Sequence, residues 1–378
     1  MTGAIDLLIW IVAHVAGLGL ILAVAYTLAD VFLRPLPFAS LLERAVMTTA
    51  TGLGLCALAL LALAVLGLLS RPVILTATCL AALVPSWRFV RQFRTLRIRN
   101  IDSQLLGLNR WQVAILVGIA VYWALLLLPS LYPPVQWDAT TYHLTLARQY
   151  LETHQILPNF GVHWPIVPLL NHLLFSWAMA LVDDVLAQMV EHSFLMLTAF
   201  GLYTLGMRAG KPLLGLAAAV IWVSHPLVRW LGGAAYVDVA LASYTFLAIY
   251  SLRIVWEKRD YRFWLLGLAL SGMAAGTKTT GLVICGLTVL FGLIAAKRVA
   301  FTRGQLLKGL SVCAAVAFPW YMLIGFFAGN PVWPLFPQYS QGIWADPRVI
   351  NRLNTLWQDG DPQAGVKAGI DRQHAQGG

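Results

Sequence analysis

Charge is scarce in this chain. Of its 378 residues only 11% are Asp, Glu, Lys or Arg while 59% are hydrophobic, and a soluble domain carries about 25% charged residues. That balance excludes a water-soluble globular protein. Cysteine is scarce too: Cys56, Cys79, Cys285 and Cys313 stand singly inside apolar runs. With no CxxC and no histidine at ligand spacing, they exclude a zinc ribbon or a thioredoxin-type centre. Acids are fewer than bases, 16 Asp and Glu against 26 Lys and Arg, a formal net charge of +10. The surplus does not describe a nucleic-acid surface, because the basic residues are spread through short loops between apolar runs. No basic start precedes the first run, residues 5–33, which is too long for a signal-peptide core. A retained helix is expected there.

What the sequence has in plenty is apolar helix. A hydrocarbon core of about 30 Å needs roughly 20 apolar residues in a helix. Runs suited to crossing lie at 5–33, 45–69, 72–88, 111–131, 186–207, 212–230, 236–255, 261–277, 279–296 and 305–326. The expected fold is all-α and polytopic, with about ten transmembrane helices. Their Gly, Ala and Leu content suits close packing in lipid.

Basic loops give the orientation. Arg88, Arg91, Arg94, Arg97, Arg99 and Arg110 face a single Asp102 between the third and fourth runs, which places that loop in the cytoplasm. Arg208 with Lys211, the group Arg253, Lys258, Arg259 and Arg262, and the group Lys297, Arg298, Arg303 and Lys308 form three more cytoplasmic loops. The signs agree only if one of the apolar runs at 165–182 and 186–207 does not cross. The first holds Pro165, Pro168, Asn171 and His172 and ends at Asp183 and Asp184, so it is expected to lie at the outer interface. Residues 138–155 repeat apolar side chains at Tyr142, Leu144, Leu146, Tyr150 and Leu151 among polar ones, the pattern of a second interfacial helix. The outer loop 132–185 is thus a built surface, flanked by Trp137 and Trp164 at headgroup level.

On that side gather Asp138, Tyr142, His143 and Arg148, then His163, Asp238 and Lys278. Charges so near hydrocarbon are costly and usually functional. A carboxylate, a histidine and a cation facing one leaflet suit group transfer from a lipid phosphate: the acid takes a hydroxyl proton and the cation neutralises the departing phosphate. Each residue also has a plainer reading. Asp138 and Asp238 sit where helix caps belong, Lys278 is placed to snorkel to headgroups, His143 to be a polar surface residue, and Arg148 to touch lipid phosphate. His172, His192 and His225 lie within apolar runs as structural histidines. A divalent ion held by Asp138, His143 and Asp238 is open, but no HxxxH or acidic cluster specifies a metal.

Four segments carry a resemblance. WDATTYHLTLARQYLETHQI at 137–156, AAYVDVALASY at 234–244, GMAAGTKTTGL at 272–282 and GNPVWPLF at 329–336 resemble the first outer loop, the second outer loop, a Gly-Thr-Lys helix junction and a late outer loop of GT-C superfamily glycosyltransferases. The likeness is to the family 39-like transferases that use polyprenyl-phosphate sugars, among them protein mannosyltransferases and the lipid A aminoarabinose transferase. It implies a GT-C-like fold with two juxtamembrane helices in the outer loop. Asp138 matches the family's catalytic or metal-associated acid, Asp238 its second acid and Lys278 a phosphate partner. Where relatives often carry a carboxylate in the second surface helix, this chain has Asn171 and His172.

The organisation expected is three additional N-terminal spans and a basic loop over 1–110, a GT-C-like core over 111–340, and an outward tail over 341–378. The implied protein is an inner-membrane enzyme facing the periplasm or exterior. It would move a sugar from a polyprenyl-phosphate donor to an acceptor hydroxyl on a glycan, lipid or protein, with inversion. Asp138, Asp238 and His143 are its expected catalytic residues, and Lys278, Tyr142, Arg148 and His163 its substrate-binding ones. Membrane lipid is the expected surroundings and no nucleic acid is involved. The alternatives are a flippase of a lipid-linked sugar and a non-catalytic member of the same family. A transporter commonly shows internal repeats, and none is evident here.

Overall fold

The computed structural model describes residues 2–95, 121–122, 125–162, 164–299 and 301–345, and every regular element among them is helical. In chain order these are α1 (Thr2–Leu33), α2 (Leu41–Val65), α3 (Arg71–Thr95), α4 (Leu144–Thr153), α5 (Leu170–Leu181), α6 (Asp184–Arg208), α7 (Pro212–Ser224), α8 (Pro226–Gly232), α9 (Asp238–Lys258), α10 (Tyr261–Thr277), α11 (Gly281–Val299) and α12 (Arg303–Ala328). A 3-10 turn at Leu128–Leu131, a π-helical turn at Ala139–His143 and 3-10 turns at Pro337–Tyr339 and Gly342–Ala345 complete them.

Five helices, α1, α2, α6, α9 and α12, are long and apolar enough to cross a membrane, and α7 with α8 makes a sixth if that pair, bent by 68° at His225, is one span. Several apolar helices of this kind are compatible with a multi-pass membrane protein. The expected fourth span and the basic loop before it lie largely outside the described residues, as does the tail beyond residue 345. The outward side chains of α1, Ile5, Leu8, Ile9 and Val12, would be untenable in water, whereas in lipid they need no cover.

Two ends can be distinguished. At one, α6 finishes at Arg208, whose guanidinium reaches Glu43 at the start of α2 and Glu257 at the finish of α9. Arg262, opening α10, donates to the Pro35 carbonyl after α1. At the other end, α6 begins behind Asp183, which caps it by accepting from the amides of Val185 and Leu186 and lies 2.8 Å from Nε2 of His14, in the first half of α1. Helices α6 and α9 therefore run parallel, and α10 returns between the two ends to finish beside the start of α9. The second end carries the described residues from Leu128 to Asp184, the Gly233–Asp238 loop, the α10–α11 junction and the described segment after α12.

Helix α5 has 12 residues, a length of about 18 Å at 1.5 Å per residue, too short to cross. It packs against α2, α4 and α6 as a buried apolar helix at that second end. Helix α4 lies on it: Ser176 Oγ donates to the Ala147 carbonyl at 2.8 Å, and Leu146, Ala147 and Tyr150 face inward. The segment after α12 docks on the connector between α4 and α5 through Trp333 and Trp344, whose rings meet edge to face at 4.9 Å beside Ile166.

Candidate functional site

Asp138 opens the first of these surface helices, but it does not cap it. Its backbone is helical and its side chain makes no cap hydrogen bond. The next five residues form a π turn, which widens the coil and turns the carboxylate away from the helix amides; such turns are frequent at functional sites. The carboxylate pairs instead with the Tyr142 hydroxyl. The backbone of Asp138 is held in turn by the Tyr236 hydroxyl, whose ring packs against Trp230 at 5.3 Å. The capping alternative is set aside by this geometry.

Asp238 begins α9, and its Oδ1 accepts from Lys278 Nζ at 2.9 Å. Lys278 stands where α10 ends, in extended backbone, with its amide donating to the Ala274 carbonyl. Two glycines make that apex. A Cβ on Gly276 would strike the Trp320 indole and one on Gly281 would overlap the Ala274 carbonyl. The chain can fold back this tightly, and lift Lys278 clear, only where those side chains are missing. The pair is 39% and 48% exposed, and an ion pair so accessible contributes at most about 1 kcal/mol. Stability is therefore not what holds these two residues together.

The same cluster acts on Asp138. Burial pushes its carboxyl up from the ordinary carboxylate range and the Asp238 charge pushes it further, while Lys278 and the Tyr142 hydroxyl oppose them; the net shift is upward. Burial and both carboxylates hold the Tyr142 phenol protonated. An acid of raised basicity beside an exposed, exchangeable cation is an arrangement for moving protons and binding anions.

His143 sits one layer deeper. It is buried, stacks on Tyr142 at 4.0 Å, and shares a hydrogen bond with His172 between Nδ1 and Nε2 at 3.0 Å. Burial first, then His172 and Lys278, keep its imidazole neutral. The other ring nitrogen of His172, Nδ1, is buried with no hydrogen-bond partner among the described residues. His143 thus faces His172 in the interior, whereas Asp138 is partly buried and the Asp238 side chain is 39% exposed. Among the described residues no group of three or more His, Cys, Asp and Glu comes together in a way that suits a metal, so the set Asp138, His143 and Asp238 is not assembled as ligands.

Of the remaining candidates, Arg148 pairs with Asp184 at 3.4 Å in a largely exposed contact, and no contact to Asp138 or Lys278 is seen among the described residues. His163 lies outside the described residues. Sequence reasoning does not single out Tyr236, Thr277 or Glu191, and passes over Asn171 as a departure from the family pattern. Glu191 had a legible signal, a lone carboxylate inside an apolar run. Tyr236 had none.

The features now in place define a class: an all-helical protein, built of apolar helices suited to several membrane crossings, that exposes one polar cluster at one end. More particularly, the chain belongs to the same family as an uncharacterized protein of Shigella flexneri, with which it is 33% identical over 168 residues, 43% of this chain and 80% of that relative. No family model and no solved structure matches it.

Proposed function

We propose that the chain is a polytopic membrane glycosyltransferase of about ten spans that transfers a sugar from a polyprenyl-phosphate donor to an acceptor hydroxyl at the outer face of the cytoplasmic membrane. The observation that carries this reading is the convergence of Asp138, Tyr142, Asp238 and Lys278, from three separate segments, on one half-exposed cluster. Resemblance to GT-C transferases at those same segments supports it. The positive-inside pattern supports an outward-facing cluster, since the opposite end carries Arg34, Arg44, Arg208, Arg253, Lys258 and Arg262.

In the reaction, Asp138 accepts the acceptor's hydroxyl proton as that oxygen bonds to the anomeric carbon. The bond from that carbon to the phosphate oxygen breaks, its electron pair leaves with polyprenyl phosphate, and the carbon is inverted. Lys278 neutralises the departing phosphate. To do so it exchanges Asp238 for the donor, a swap that a weak, exposed ion pair permits. The upward displacement of Asp138 moves a carboxylate toward the basicity that a general base requires at neutral pH.

The test is transfer of labelled sugar from polyprenyl phosphate by the purified chain in lipid vesicles. Turnover is expected from the native chain, with a drop of about 10²–10⁴ in Asp138→Asn, the usual span for a lost general base. Full activity in that variant would remove the base assignment. One observation favours a second reading, a flippase for a lipid-linked sugar: the 68° break between α7 and α8 is the kind of discontinuity transporters use. Movement of donor between leaflets without turnover would select it.

A further inference from the structure

We infer that Glu191 is a positioning residue that fixes the Asp238–Lys278 pair from beneath. The inference rests on reading that pair as the one that meets the donor phosphate. Glu191 lies on α6, fully buried, and no salt bridge joins it among the described residues. Its Oε1 accepts from the Ala240 amide at 3.0 Å and its Oε2 from Asn171 Nδ2 at 2.9 Å. The Asn171 Oδ1 then lies 3.4 Å from Thr277 Oγ1, whose one hydroxyl proton it shares with the Met273 carbonyl at 2.9 Å.

The arrangement answers a specific need. The first amides of a helix have no partner within it, and the residue in the capping position of α9 is Val237, which has no side-chain acceptor. Glu191 supplies the acceptor from another helix, taking Ala240 and, beside it, Val239. Ala240 is two residues beyond Asp238. Thr277, reached through Asn171, is the residue before Lys278. One carboxylate therefore ties the helix start that carries the acid to the helix end that carries the cation, and anchors the start of α5 between them. Loss of a cap lets a helix start fray and shift its first residues. The departure from the family pattern at Asn171 gains a role here, since an amide can donate to Glu191 and accept from Thr277 at once, which a carboxylate could not.

The experiment is cross-linking in the full chain, with Cys56, Cys79, Cys285 and Cys313 replaced by alanine and Asp238→Cys and Lys278→Cys introduced. A short bifunctional methanethiosulfonate reports how closely those two positions are held. The yield is expected to fall several-fold with Glu191→Ala and to recover with Glu191→Gln, which restores an acceptor for the amides. With the native pair present, the KM for the polyprenyl donor is expected to rise more than kcat falls. If Glu191→Ala does not fold, Thr277→Val, which removes the Thr277 hydroxyl and with it the contacts to Asn171 and to the Met273 carbonyl, must lower the yield in the same direction. An unchanged yield in a folded Glu191→Ala, or in Thr277→Val when the first variant fails to fold, overturns the inference whatever the transfer assay gives. A lowered yield in a chain without transferase activity keeps the positioning role and removes the proposed reaction.

Discussion

The two ends of the bundle use their charged residues in opposite ways. At one end Glu43 is 1% exposed and Arg208 3%. Both carboxylate oxygens of Glu43 accept from the guanidinium at 2.7 Å, the Tyr250 hydroxyl and the Ala39 amide fill the remaining positions, and Glu257 takes another guanidinium N–H. Nothing there is left to bind. At the other end the Asp238–Lys278 pair is open to solvent and Asp138 leans on one tyrosine. A buried pair held by several hydrogen bonds fixes structure, and breaking it leaves an uncompensated charge. An open pair adds little stability and can change partners. Burial, more than charge, separates the clamp from the site.

The largest effect expected from breaking this contrast is at the clamped end. Arg208→Met should lower stability by about 3–5 kcal/mol, because the Glu43 carboxylate stays buried without its cation. Denaturant unfolding in detergent micelles measures it, and adding Glu43→Gln should recover part of the loss. A change below 1 kcal/mol would mean that this pair is as dispensable as an exposed one.

At the open end the expected effect is on pH dependence. The Asp238 charge helps to hold the Asp138 carboxyl up, second only to burial. Removing it with Asp238→Asn should let Asp138 ionise at lower pH, so the acid limb of the transfer rate, which tracks the ionised base, should move to lower pH. An acid limb that stays in place, or moves up, would separate Asp138 from Asp238 in function. The smallest effect belongs to Arg148→Ala, whose pair with Asp184 is exposed: a stability change of at most about 1 kcal/mol in the same unfolding measurement and an unaltered donor KM.

How much of this could be read in the sequence follows the same division. Apolar runs announce their helices whatever their neighbours do, and the boundaries expected for α1, α6, α9, α10 and α12 fall within a few residues of those observed. Charge parity required one of the runs at 165–182 and 186–207 not to cross, the polar residues of the first singled it out, and its helix α5 is only 12 residues long. The number of crossings was less legible, because length and composition leave α5, α10 and α11 short of, or at the margin of, a full span. Asp138, Asp238 and Lys278 were legible as polar residues at helix ends on one side. Their closeness was not, since it depends on Gly276 and Gly281 letting the chain reverse at Lys278 and on the parallel course of α6 and α9. The pairing of His143 with His172, 29 residues away, and the in-trans cap from Glu191 are tertiary events with no local pattern. The inward-facing cluster of Glu43, Arg208 and Tyr250 joins three helices distant in sequence, and only packing brings them together.

The account stands or falls on whether the open end holds a lipid-linked phosphosugar at Lys278. Mass spectrometry of lipid that co-purifies with the chain from its membrane tests this directly. Polyprenyl-phosphate species should accompany the native protein and be depleted in Lys278→Met. Their absence from the native protein, or equal amounts in both, would contradict it.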